Sequence, residues 1–265
     1  MSNKEFPSNR VSRAVLSGSA AAVALMMAAG QAQAQANDAC GPLVDGAVDC
    51  TIAGGPYPRG VQYGDGGPED IRVRLEDGLS ITPEDRYAGV YLLSNGGSLA
   101  IEGSGADIAT HNASGAVAYT YGYGDIVIDL ATVSTELDED QLIRGVQTYT
   151  DAGTTSIRVG ELSTRGDYVV GVVAESLIGD IDITAGSIET NGFASDGIAV
   201  STGGNINVNV DEIRGDGDYI WGVNASNGAY ANGYIYGGVT SVNVGSIDLT
   251  GDYNAGVVMQ TYSSA

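Results

Sequence analysis

A glycine followed by an apolar residue recurs along most of this chain, and this recurrence is the feature that most limits its fold. The spacings between successive pairs are 26, 30, 26, 26, 25 and 34 residues. A unit of about 26 residues cannot bury its apolar face alone, so successive units must stack on one another. The pairs are Gly89-Val90, Gly115-Ala116, Gly145-Val146, Gly171-Val172, Gly197-Ile198, Gly222-Val223 and Gly256-Val257.

Within each unit, apolar and polar residues alternate in short segments, which predicts three short strands that each bury one face. The first strand aligns Val90, Ala116, Val146, Val172, Ile198, Val223 and Val257; the second aligns Leu99/Ile101, Ile126/Ile128, Ile157/Val159, Ile181/Ile183, Ile206/Val208 and Val242/Val244; the third aligns Ile108, Val133, Leu162, Ile188, Ile213 and Ile247. Such units leave no room for a crossover helix. We therefore predict an all-β, single-chain, right-handed parallel β-helix of about seven coils, the hand following the general preference of parallel crossovers.

The chain divides into three predicted segments. Residues 1–36 have a basic start, an apolar stretch and an Ala-Gln-Ala-Gln-Ala end, as in a cleavable signal peptide, which we favour over a single membrane anchor. Residues 37–60 are rich in turns and are predicted to cap the first coil, and residues 61–265 hold the repeats. Cys40 and Cys50 follow the predicted cleavage point, so a disulfide is expected in an oxidising compartment, whereas a two-cysteine metal site lacks partners at suitable spacing.

The charge of the chain excludes one class of partner. The full sequence has a formal net charge of −22, and without residues 1–36 eight arginines face 32 acidic residues, about −24 in all. Such a chain repels a phosphate backbone, so we predict no nucleic-acid partner. No cofactor is predicted, and the acidic loops suggest at most weak calcium binding, because the nine-residue calcium-binding repeat is missing.

Two insertions break the repeat, at residues 136–142 and 227–238, and insertions in repeat arrays form surface loops that carry function more often than the repeats do. Tyrosines that follow the first strand are candidates for contact with a glycan or a partner protein, with packing over glycine turns as the alternative. These candidates are Tyr119, Tyr121, Tyr123, Tyr149, Tyr230, Tyr234 and Tyr236. A second column, comprising Tyr87, Tyr168, Tyr219 and Tyr253, is predicted to form a structural stack.

Three further features are candidates for receptor binding or catalysis. Arg-Gly-Asp occurs at residues 165–167 and 214–216, where a receptor motif and a chance product of Gly-Asp turns are both open. Arg158 and Asp182 are predicted to occupy equivalent outward positions, where they would form either a catalytic cleft pair or a salt bridge. His111 is the one histidine of the sequence. No catalytic constellation emerges, so we predict that the chain is not an enzyme.

The long Ala-rich leader, the early cysteine pair, the GGPYPRGV segment at 54–61 and the Gly/Asn/Thr-rich coils resemble the passengers of Gram-negative autotransporters of the β-helical adhesin kind. The resemblance covers residues 37–265 and implies export, an outer-membrane barrel downstream of this chain, and a position at the cell surface or outside the cell. It implies a non-catalytic adhesion or display scaffold that contacts a surface glycan or a protein of a host or neighbouring cell. The alternatives are a carbohydrate-acting β-helix enzyme, either lyase or hydrolase, and a complete small secreted sugar-binding protein.

Overall fold

The computed structural model describes residues 39–64, 66–138, 142–231 and 234–261, and this part of the chain is built from strands with one short 3-10 turn at Ile52–Gly54. The strands are β1 (Ala47–Cys50), β2 (Val61–Tyr63), β3 (Ile71–Leu75), β4 (Ser80–Ile81), β5 (Val90–Ser94), β6 (Leu99–His111), β7 (Ala116–Thr120), β8 (Ile126–Glu136), β9 (Arg144–Thr150), β10 (Thr155–Arg165), β11 (Val170–Ser176), β12 (Ile181–Asn191), β13 (Asp196–Thr202), β14 (Ile206–Asp216), β15 (Trp221–Asn227), β16 (Ala229–Ala231), β17 (Tyr234–Tyr236), β18 (Thr240–Thr250) and β19 (Ala255–Thr261).

Two parallel sheets enclose a common core, and each successive coil contributes a strand to both sheets, which confirms the predicted parallel solenoid. The nine-stranded sheet runs β1-β3-β6-β8-β10-β12-β14-β18 with β4 beside β6, and the eight-stranded sheet runs β19-β15-β13-β11-β9-β7-β5-β2. The ladders of the first and third predicted strands are confirmed residue by residue, as in Val172↔Ile198 and Leu162↔Ile188. Their side chains form one continuous core along the described part of the rod. The right-handed sense stays a prediction.

The second and third predicted strands of most coils run together as one long, bent strand. In β10 and β12 the pairing passes from Val159↔Ala185 to Glu161↔Ser187 across Gly160 and Gly186. A Cβ on Gly160 would lie 2.6 Å from the carbonyl oxygen of Ala131 in the preceding coil. Glycine therefore lets the strand turn the corner without losing contact with its neighbours.

The predicted alignment of the second strand was wrong by two residues in two coils. Thr155, not Ile157, pairs with Ile126 and Ile181, and Thr240 pairs with Ile206. A shift of two residues leaves the same side chains facing inward, so the alternation of apolar residues does not reveal it. In these two coils a threonine occupies the position that is aliphatic in the neighbouring coils, and an alignment of aliphatic residues therefore misses the true register.

The predicted cap contributes to the nine-stranded sheet. Its residues 47–50 form β1, which pairs with β3 in parallel. Cys40 and Cys50 form the expected disulfide, with a Cα–Cα distance of 4.9 Å. The hydroxyl of Tyr63 donates a hydrogen bond to the carbonyl of Gly41 and accepts one from the backbone N–H of Cys40. The start of the fold is thus tied to the first coil.

The predicted insertions begin at the last residues of β8 and β15. Residues 139–141 of the first lie outside the described ranges, and the second contains an antiparallel hairpin formed by β16 and β17. No helix in the described ranges has the length and apolarity needed to cross a bilayer.

Candidate binding surface at the corners of the coils

A column of buried polar side chains closes the corner after six strands of the eight-stranded sheet, β5, β7, β9, β11, β13 and β15. Thr150 shows the pattern: its hydroxyl donates to the carbonyl of Gly124 in the preceding coil at 3.1 Å and accepts the N–H of Gly153 at 3.1 Å. These bonds satisfy backbone groups that the glycine turns leave unpaired. The column comprises Ser94, Thr120, Thr150, Ser176, Thr202 and Asn227. Most of these residues lie two to four positions before a glycine, and this spacing is the sequence signal that would have identified them.

A second column uses carboxylates as backbone acceptors just before alternate strands of the nine-stranded sheet. Asp70, Asp125 and Asp180 accept N–H bonds at 2.7 Å from Ser98, Thr154 and Asn205 of the following coils. The aspartates alternate with these neutral residues, which keeps like charges from facing each other in adjacent coils. Part of the acidic composition therefore serves the stacking of the coils.

The corner after the nine-stranded sheet carries exposed aromatic rings. We call Tyr168, Phe193, Tyr219 and Tyr253 the aromatic stack, because their successive ring centroids lie 5.6, 5.4 and 4.9 Å apart. Between 40% and 74% of each residue is exposed to solvent. Three of the four were predicted to stack; Phe193 was missed, since it lies one residue before Ala194, which takes the backbone position equivalent to the tyrosines.

The two Arg-Gly-Asp segments lie at this same corner and take part in its hydrogen bonding. The Asp167 carboxylate accepts the N–H of Phe193 at 2.8 Å, and the Asp216 carboxylate accepts the hydroxyl of Thr250 at 2.7 Å. Arg214 binds Glu212 through Nε and Nη2 at 2.9 and 2.8 Å. These contacts give the tripeptide a structural role in the turn.

A histidine joins three successive coils at the first insertion. The His111 ring contacts Asp85 through Nδ1 and Asp138 through Nε2, each at 2.9 Å. Asn112 reinforces the cluster by donating to Asp85 and by accepting the N–H of Asp138. Both ring nitrogens donate only in the imidazolium form, so the two carboxylates favour a charged ring. The sequence identified His111 only as its one histidine.

We expect this cluster to respond to pH. Hydrogen bonds to Asp85 and then Asp138 raise the pKa of His111 above its ordinary 6.5, and the bond from His111 lowers the pKa of Asp85 below 3.8. The stabilisation that His111 contributes is fully present below pH 6.5 and is lost as the pH rises through the raised pKa of the imidazole. The stabilisation that Asp85 contributes is present above pH 3.8 and is lost as the pH falls through the lowered pKa of its carboxyl. An NMR titration of the imidazole should show the raised pKa, and Asp85→Asn should lower it; an unshifted titration in both proteins would contradict the cluster.

The tyrosines predicted to make contacts fall into three environments. Tyr119 and Tyr149 face each other in register and are 3% and 8% exposed. Burial raises the pKa of both hydroxyls, and Tyr149 also donates to Asp151 at 2.8 Å. Tyr121 packs against Tyr149 at a centroid distance of 5.7 Å, whereas Tyr123 is 85% exposed. The structure thus brings Tyr119, Tyr121 and Tyr149 together and leaves Tyr123 in solvent.

The remaining candidates, Tyr230, Tyr234 and Tyr236, belong to the hairpin of the second insertion. Their backbone forms β16 and β17, and their side chains lie outside what the structure describes. Their proposed role as ligand contacts stays a prediction.

The suggested pairing of Arg158 with Asp182 was wrong. Arg158 lies opposite Asp129 and Thr184, and Asp182 lies opposite Ser156. The cause is the same two-residue shift that misaligned the second strand. Arg158 instead lines a shallow surface groove.

That groove follows the bend of the nine-stranded sheet and has a volume of about 300 Å³. Gly160 and Gly186 lie among its lining residues, together with Asp129, Arg158 and Asp211. Asp129 and Asp211 are three coils apart, which is about 14 Å at the usual strand spacing. Carboxyl pairs that hydrolyse glycosidic bonds are about 5–9.5 Å apart, so these two do not form such a pair.

Within the described ranges, no cluster of three or more His, Cys, Asp or Glu residues is arranged to hold a metal ion. The Asp138 carboxylate, which belongs to the acidic first insertion, contacts His111. Comparison of the chain with protein-family models, with curated proteins and with solved structures finds no significant match.

Proposed function

We propose that this chain is an exported β-solenoid that acts as a non-catalytic scaffold for adhesion or display, at the cell surface or outside the cell. The observation that carries the proposal is that the polar and the aromatic side chains at the corners have different roles. Acidic and hydroxyl side chains at the corners bind backbone groups of neighbouring coils, while aromatic rings at one corner remain in solvent. Contiguous exposed aromatic surface on a rigid framework is typical of interaction sites.

The resemblance to autotransporter passengers supports the same proposal from the sequence side. A leader with a basic start and cleavable small residues accounts for export. The Cys40–Cys50 disulfide is compatible with an oxidising compartment. Signal cleavage, outer-membrane translocation and surface location are parts of the proposal.

A carbohydrate-acting enzyme is the second candidate, and the groove beside Arg158 is the observation in its favour. Glu102 and Asp129 are neighbours in register near it, but Arg72 and Arg74 bind Glu102 at 3.4 and 3.7 Å. These ion pairs engage both carboxylate oxygens of Glu102, so the side chain is poorly placed to contact a glycosidic oxygen. The groove therefore fits binding better than cleavage.

Two assays on the same preparation distinguish these candidates. The exported chain, purified with its disulfide intact, is coated on beads and tested for adhesion to cultured cells, and it is incubated with a panel of neutral and acidic polysaccharides. We expect adhesion above that of beads coated with albumin, and no release of reducing or unsaturated ends. Polysaccharide cleavage that Asp129→Asn abolishes would establish the enzyme instead, and absence of adhesion would contradict the scaffold.

A further inference from the structure

The aromatic stack occupies a backbone conformation that tyrosine seldom adopts. Tyr168, Tyr219 and Tyr253 have φ values of 61°, 62° and 63°, and the same corner elsewhere accepts Asn112 and Ala194 at 52° and 51°. A bulky residue in this left-handed region costs about 1–3 kcal/mol, whereas asparagine tolerates it better. The turn itself therefore does not require tyrosine.

Ring–ring contacts do not account for the aromatic residues either. Ring–ring contacts of the kind seen between Tyr219 and Tyr253, which stack with an interplanar angle of 12°, contribute about 0.5–1.5 kcal/mol and at best offset the backbone cost. The rings are only partly buried, and 40% to 74% of each residue remains in contact with water. The stack therefore leaves aromatic surface that a partner can cover.

Three aspartates directly precede the tyrosines of the stack in sequence, and their charge indicates the chemistry of that partner. Asp167, Asp218 and Asp252 are exposed at the same corner. Asp167 and Asp218 each use Oδ1 to accept a backbone N–H of the next coil, at 2.8 and 2.7 Å, and these bonds hold both carboxylates in place. Fixed carboxylates next to aromatic faces suit a cation that is also planar.

We propose that the aromatic stack and its three aspartates bind an arginine-rich segment of a partner protein. A guanidinium stacks on an aromatic ring and pairs with a carboxylate through a planar fork of donors, which a lysine ammonium does not match. The acidic field of the whole chain attracts such a segment before it docks. The inference rests on the proposed function in taking the chain to be a binding scaffold, and it names the class of partner.

The test uses the full exported chain and two synthetic probes, hexa-arginine and hexa-lysine, with affinities measured by titration calorimetry. We expect the arginine peptide to bind about fivefold more tightly than the lysine peptide, the ratio that corresponds to one cation–π contact. Phe193→Ala and Tyr219→Ala should each weaken the arginine peptide about fivefold or more. Tyr123→Ala, which removes an exposed tyrosine outside the stack, should leave its affinity within about twofold.

Each other outcome overturns the proposal. Equal binding of both peptides, unchanged in Phe193→Ala, would show diffuse attraction to an acidic surface. Binding of neutral cellohexaose that Phe193→Ala abolishes, with no peptide binding, would assign the stack to a glycan. Bead adhesion that persists while the peptides fail to bind would refute this inference and leave the proposed scaffold function in place. Unchanged thermal unfolding of the variants would confirm that they are folded.

Discussion

Replacing Gly197 with alanine is expected to destabilise the folded chain by about 3 kcal/mol, the upper end of the cost of overpacking a core. A Cβ at this position would lie 2.5 Å from the carbonyl oxygen of Gly222 and 3.3 Å from Cγ2 of Ile213. Backbone atoms of the next coil cannot move away without disturbing the parallel ladder between β13 and β15. The coil-opening glycine is thus required by the approach of the following coil.

Gly256 provides a matched control in the same column. A Cβ there would meet only Ile247, at 3.4 Å, which is an ordinary contact distance. Gly256→Ala should therefore change the free energy of unfolding by no more than about 0.5 kcal/mol. Urea unfolding of both variants measures the difference, and equal losses would show that the glycines serve some purpose other than close approach.

Replacing Thr150 with valine should destabilise the chain by about 1–3 kcal/mol, the cost of leaving buried polar groups without partners. The hydroxyl serves two backbone groups, the N–H of Gly153 and the carbonyl of Gly124. Valine has nearly the same shape but offers neither donor nor acceptor. The turn that begins the next long strand would lose both tethers.

Thr148, two residues earlier on the same strand, is the control for this substitution. Its buried Oγ1 has no hydrogen-bond partner in the described part of the chain, and it lies in register between Ala118 and Ala174. Thr148→Val should leave the free energy of unfolding unchanged or increase it. Urea unfolding of the two variants measures the difference, and comparable losses of unfolding free energy would contradict the assigned role of the polar column.

The architecture could be predicted from sequence because it depends on repetition and alternation. Residues that bury in the same column, such as Val172 and Ile198, recur at a near-constant spacing, and alternation identifies the inward face. The same rule could not fix the register of the second strand. Because Thr155 and Ile157 both face inward, only the hydrogen-bonded pairing distinguishes them.

The surface features were harder to predict, since they depend on contacts between coils. Phe193 joins the aromatic stack although it is one residue out of step with the tyrosines, and His111 meets carboxylates that lie 26 and 27 residues away in sequence. Neither contact follows from composition or local pattern. The predicted tyrosine strip, by contrast, mixed buried and exposed rings, because Tyr119 lies within β7 whereas Tyr121 and Tyr123 lie in the turn that follows it.

The corner columns explain how a strongly acidic chain can stack its coils closely. Carboxylates such as those of Asp125 and Asp180 accept backbone N–H groups of the next coil, and a neutral residue separates them along the rod. Acidic residues in this chain are therefore weak evidence for catalysis or metal binding. The stacking register that aligns these side chains also aligns the aromatic stack.

Cross-linking of paired cysteines tests that register most directly. Ser156 and Asp182 are exposed and directly opposite each other, whereas Arg158 and Asp182 are offset by two residues, so their Cα atoms are about 5 and 8 Å apart respectively. Cysteines introduced at positions 156 and 182 should be joined by a bifunctional thiol-reactive cross-linker that spans about 5 Å several times faster than cysteines at 158 and 182. Faster cross-linking of the 158/182 pair would contradict the coil stacking on which the binding surface depends. Failure of both pairs to cross-link would contradict it as well.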